Sequence, residues 1–146
     1  MGADMAAWEP LIGSWASSGR TVERPGEPAV DIAGTDVYEW LPGRRFVVHK
    51  VDVRMDDEQV DVLEVIGERD GDAVLMRAFD HLGNSGVMRA TIDEAGVWTF
   101  AGPTERATLV IAEDRASMAA TWERSINGGA SWEHWMDMRF RRTSPG

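Results

Sequence analysis

From Ser14 onward the chain alternates apolar and polar residues in short stretches of period two, each interrupted by turn-forming residues, and the pattern persists to Arg141. Successive side chains of an extended strand point to opposite faces, so this alternation marks half-buried β-strands. It predicts ten of them: Ser14–Val22, Ala33–Leu41, Arg45–Arg54, Gln59–Glu68, Ala73–Phe79, Gly86–Ile92, Val97–Ala101, Glu105–Ala112, Ser117–Arg124 and Trp132–Arg141. The breaks carry explicit turn chemistry, among them Leu41-Pro42-Gly43, Asp70-Gly71, Leu82-Gly83-Asn84 and Asn127-Gly128-Gly129. Asp-Gly and Asn-Gly accept the positive φ that tight hairpins demand, which makes consecutive strands antiparallel neighbours. One connection is long, Glu23–Ile32 with Pro25 and Pro28, and reads as a mobile loop over one end of the sheet. Ahead of the strands, Met5, Trp8, Leu11 and Ile12 recur at spacings of three and four, predicting a short helix that ends at Pro10 or just after it.

A meander of short strands without long crossovers closes on itself more readily than it forms a Greek key, and closure leaves no exposed sheet edge. The expected fold is therefore all-β: a single antiparallel up-and-down β-barrel with a short N-terminal helix capping one end. The whole chain, 1–146, reads as one such domain. Eight strands enclose just enough room for side chains or one small ligand, so ten leave somewhat more.

Composition narrows the function. The chain has no cysteine, which excludes disulfides, thiolate metal sites and cysteine nucleophiles and mildly favours an intracellular protein. Its formal net charge of −10 makes nucleic acid and anionic membrane poor partners, because both are recognised largely by neutralising phosphate. Asp4 stands where a secretory signal would carry basic residues, and no segment approaches the run of about 20 apolar residues that crosses a bilayer. The expectation is a soluble, cytoplasmic protein. Seven tryptophans against one tyrosine supply flat apolar area suited equally to core packing, barrel plugs and ligand walls.

Candidate chemistry emerges from the strand faces. In Arg45–Arg54, Val47, His49, Val51 and Val53 share one face, and His49 is its lone polar group. Glu64 lies between Val62 and Ile66 in the same manner. A carboxylate inside a barrel requires a partner, which His49 or Arg77 on the following strand could supply. An outward-facing surface pair explains these residues equally well. His49, His81 and His134 lie on different elements with no metal-ligand spacing, so no metal site is expected. The stretch from Ser125 to Trp132 resembles an Asp-box hairpin with Asn127 in place of the aspartate, but the chain is too short for a propeller, and the stretch reads as a turn pinned by Trp132. No nucleophile elbow, Walker loop or dinucleotide fingerprint is present.

Leu11-Ile12-Gly13-Ser14-Trp15 contains a Gly-x-Trp opening, and Arg139, Arg141 and Arg142 close the chain. In between come Glu39-Trp40-Leu41-Pro42-Gly43, Phe46-Val47-Val48-His49, Glu64-Val65-Ile66-Gly67, Phe79-Asp80 and Trp122-Glu123-Arg124-Ser125. In this order they resemble a bacterial family of lipocalin-like (calycin) barrels known as a domain of unknown function. The resemblance implies a cavity, and a first-strand tryptophan packed under a basic residue of the last strand. More distantly the chain is similar to nitrobindins, ten-stranded barrels that hold haem through a histidine on the last strand. That position falls near Asp137, a poor haem-iron ligand, so haem is disfavoured and no cofactor is expected. The same alignment turns Trp135, Asp137 and Arg139 inward, whereas simple burial turns His134, Met136, Met138 and Phe140 inward. The first arrangement leaves an apolar row outside in need of cover and so implies a homodimer; the second makes a Met-rich pocket wall.

The residues thus favour a non-catalytic binder of a small, largely apolar molecule, with His49, Glu64, Arg77, Trp40, Trp122, Trp135 and Asp137 as candidate ligand contacts. One alternative is an isomerase or cyclase that uses a buried carboxylate and His49 as acid and base. Another is a structural or dimerisation module whose barrel is filled with side chains.

Overall fold

The computed structural model describes residues 4–144. A 3₁₀ helix, Met5–Leu11, precedes ten strands: β1 (Gly13–Thr21), β2 (Asp31–Trp40), β3 (Val47–Met55), β4 (Glu58–Asp70), β5 (Ala73–Asp80), β6 (Ser85–Ile92), β7 (Trp98–Ala101), β8 (Glu105–Ile111), β9 (Ser117–Arg124) and β10 (Glu133–Arg142). Each strand pairs antiparallel with its neighbours in sequence, and β1 pairs with β10, so the sheet closes into a barrel. No helix among the described residues is long and apolar enough to cross a membrane.

The turns follow from their residues. Asp56 has a φ of 56° and Gly71 a φ of 65°, which lets two-residue connections reverse the chain between β3 and β4 and between β4 and β5. The N-terminal helix winds with three residues per turn, so Met5, Trp8 and Leu11 align on one face, and Trp8 and Leu11 are buried. Asp4 caps its start by accepting a hydrogen bond from the Ala6 amide at 3.1 Å.

This helix plugs the base of the barrel. Trp8 packs against Trp98 with ring centroids 4.4 Å apart, and Trp15, Val47, Ile66 and Val74 are fully buried around them. Arg142 of β10 lays its guanidinium over Trp15 at 4.2 Å and donates to the carbonyls of Ile12 and Pro10 at 2.6 and 2.7 Å. The base is therefore sealed as a lipocalin-like barrel would be, with β10 tied to both the plug and the first strand. β7 is the shortest stave at four residues, and both of its inward residues, Trp98 and Phe100, are buried.

The opposite end is ringed by the connections 22–30, 56–57, 81–84, 102–104 and 125–132. The first of these lies over that end, as expected, and ion pairs join it to the barrel. Arg24 reaches Glu133 at 2.7 Å and the His134 carbonyl, and Arg124 holds Glu27 at 2.8 Å. In the last connection, Ser125 Oγ accepts from the Gly129 amide at 2.7 Å and Asn127 Oδ1 from the Ser131 amide at 3.0 Å. Trp132 lies beneath the Arg106 guanidinium at 4.2 Å, anchoring the turn to β8.

Candidate functional site

Above the plug the barrel is hollow. A cavity of about 740 Å³ opens between the connections at the mouth, with walls that are mostly apolar, including Val51, Val53, Met76, Leu109, Met138 and Phe140. On β10, Met136, Met138 and Phe140 turn toward the cavity while Asp137 and Arg139 are exposed. Burial of the apolar row prevails over the nitrobindin-based alignment, and the outward apolar row that implied a homodimer does not form on this strand. A register shift between His134 and Met136 inserts Trp135 as an extra residue, so Trp135 and Met136, adjacent in sequence, both line the cavity. Trp135 meets Trp122 edge to face at 6.4 Å near the mouth.

At the floor stands one polar cluster. The pairing of β2, β3 and β4 places His49 directly opposite both Tyr38 and Glu64. Val47 and Ile66, also opposite each other, lie one inward step closer to the base. His49 Nδ1 lies 2.9 Å from Glu64 Oε1, and Nε2 lies 2.6 Å from Asp36 Oδ2. Asp36 Oδ1 in turn accepts from Ser17 Oγ at 2.5 Å. The Tyr38 ring covers the imidazole face, centroids 3.9 Å apart and 8° from parallel. All are buried: Ser17 is 4%, Asp36 6%, Tyr38 6%, Glu64 7% and His49 8% exposed.

A carboxylate only accepts hydrogen bonds, so a ring held between two of them carries a proton on each nitrogen. Burial alone would strip that proton and is the largest single influence on the ring. The hydrogen bonds from Asp36 and Glu64, joined by their charges, together outweigh it and raise the His49 pKa from 6.5 to about 9. The Tyr38 phenol is held well above its ordinary range, first by burial and then by the charges of Asp36 and Glu64. With two carboxylates and one imidazolium, the cluster carries a net charge of −1. Both lone pairs of His49 are occupied by protons, so the ring offers nothing to a metal and no free nitrogen to act as a base.

The candidate contacts named from the sequence divide cleanly. His49, Glu64, Trp122 and Trp135 line the cavity. Arg77 is exposed on the outer face, paired with Glu68, and gives Glu64 no compensation; outward direction on β5 prevents it. Asp137 is also outside, hydrogen bonded to exposed His134 at 3.0 Å. Trp40 belongs to the base, its Nε1 donating to Glu9 Oε2 at 3.0 Å with Arg44 over its ring. Asp36, Tyr38 and Ser17 were not singled out. For Asp36 and Tyr38 the signal was available in the β2 row Ile32, Gly34, Asp36, Tyr38, Trp40, where Asp36 interrupts an inward series as Glu64 does on β4.

No sequence-family profile matches the chain, and no curated protein does. Among solved structures, the chain is similar to Rv2717c from M. tuberculosis, with a TM-score of 0.73 and 14% identity over 99% of this chain and 100% of that one. It is similar also to the S-type phycobiliprotein lyase CPES from Guillardia theta, with a TM-score of 0.69 and 10% identity over 100% of this chain and 95% of that one. At these identities the likeness is one of fold, and it is consistent with a lipocalin-like barrel.

Proposed function

We propose that this protein binds a small, largely apolar molecule inside its barrel, as a lipocalin-like carrier or sensor rather than as an enzyme. The carrying observation is the cavity itself: about 740 Å³, within the 300–1,000 Å³ range of small-molecule sites, open at one end and sealed at the other by the tryptophan plug. A barrel serving only as a structural module would fill this space with side chains. Likeness of fold to a phycobiliprotein lyase supports the use of such a barrel for a guest molecule without naming the guest. The acid-base alternative draws less support, because both ring nitrogens of His49 are already engaged by Asp36 and Glu64, which leaves no free nitrogen to act as a base.

The test is uptake of an environment-sensitive apolar dye by the purified protein, with Ala78→Trp as the blocking variant, since Ala78 faces the cavity opposite Glu64. Saturable enhancement by the parent protein, and loss of it in a variant with unchanged far-ultraviolet circular dichroism, are expected. Equal enhancement by both proteins would show that the dye binds elsewhere and would remove the support for the reading.

A further inference from the structure

The cluster at the cavity floor restricts what the guest can be. Of the four carboxylate oxygens on Asp36 and Glu64, three are engaged: Asp36 Oδ1 by Ser17, Asp36 Oδ2 by His49 and Glu64 Oε1 by His49. Glu64 Oε2 has no hydrogen-bond partner among the described residues, and neither has the Tyr38 hydroxyl, although both side chains are more than nine-tenths buried and both line the cavity. Polar atoms that face a cavity in this way are satisfied by whatever occupies it. Both protons on His49 are directed at the carboxylates, so the cation at the floor is spent within the protein. What remains facing the cavity is an acceptor in a group of net negative charge.

We propose, resting on the cavity-binding reading above, that the guest carries a hydrogen-bond-donating, cationic head, an amine or amidine type of group, which descends to Glu64 Oε2 while its apolar body fills the wall region between Val51 and Met138. A carboxylate head would meet the cluster's net negative charge with no free donor except the Tyr38 hydroxyl. The other ionisable groups lining the cavity, Asp80 and Glu105 at the mouth, are acidic as well, which leaves it only neutral donors such as Asn84, Ser85 and Thr104. The same arrangement thus disfavours an anionic apolar molecule where it admits a cationic one.

The experiment compares decylamine, decanol and decanoate at neutral pH, each displacing the apolar dye from the intact protein at two salt concentrations. The amine is expected to bind at least tenfold more tightly than the alcohol, and decanoate more weakly than either. Glu64→Gln is expected to reduce the amine-to-alcohol ratio to within about threefold of unity. Asp80 and Glu105 attract any cation at long range, but that attraction falls with salt and survives in Glu64→Gln, which separates it from contact at the floor. Alcohol binding without an amine preference, or an amine preference unchanged by Glu64→Gln, would overturn this inference and leave the cavity reading standing. Failure of all three compounds to displace the dye would overturn both. The ligand series on the parent protein decides the question even if the variant does not fold.

Discussion

Raising the pH from below 6.5 to above 9 is expected to weaken the fold through one buried ring. In the unfolded chain His49 loses its proton near 6.5, whereas between Asp36 and Glu64 it keeps it to about 9. Below the lower value both states hold the proton and the full stabilisation is present. Between the two values only the folded state binds it, so each increment of pH favours unfolding, and above the upper value the contribution is gone. The interval corresponds to about 3 kcal/mol, at about 1.4 kcal/mol for each tenfold change in proton affinity. That is a large share of the roughly 5–15 kcal/mol typical of a domain. Around the ring stand Asp36, Glu64, Ser17 and Tyr38; the Tyr38 phenol, raised by burial, adds its own loss only at still higher pH. Urea denaturation across this window gives the stability, and NMR of the imidazole signals identifies the titrating ring. A flat stability profile, or all three histidine rings deprotonated by neutral pH, would refute the account of the cluster.

Other outcomes follow from the same contacts. His49→Gln leaves two buried carboxylates with no cation between them and is expected to cost about 3–5 kcal/mol, whereas Asp36→Asn leaves one carboxylate with one imidazolium and costs about 1–3 kcal/mol; denaturant midpoints at pH 6 check the order. Arg142→Ala frees the carbonyls of Pro10 and Ile12 and uncovers Trp15, and is expected to cost about 2–4 kcal/mol by thermal melting, with Arg142→Lys failing to restore the loss because an ammonium cannot span the same acceptors while stacking. Arg77→Ala and Asp137→Asn, both on the outer face, are expected to leave dye affinity in the displacement assay unchanged.

The barrel was legible because the strands, local bulges in β4 and β10 aside, face inward and outward by turns, and the hairpins announce themselves with residues suited to reversing the chain. The N-terminal helix was legible from Met5, Trp8, Leu11 and Ile12; the spacing of three belongs to its tighter winding, and Ile12 falls just past its end in extended conformation. The inward direction of His49 and Glu64 followed from their apolar neighbours on β3 and β4, but the choice between an interior pair and a surface pair depended on register, which single strands do not carry. Arg77 was miscast for that reason: adjacency in the sheet was inferred correctly, while its face was not tested against the outward residues of β5. Trp135 escaped strict alternation because an inserted residue interrupts the period locally, and the conflict over β10 was settled by the cost of leaving Met136, Met138 and Phe140 in water. The tie between Ser17, Asp36 and His49 is diagonal across three strands, a relation visible only once pairing is known.

The four-residue stave β7 offers its neighbours the least main-chain bonding of any part of the wall, and a breach there would be the shortest way through the side. Yet its two inward rings are wedged against Trp8, so separating this seam means pulling aromatic pegs out of the plug as well as breaking a few amide bonds. The weakest plank is nailed to the floor, and passage in or out is left to the rim.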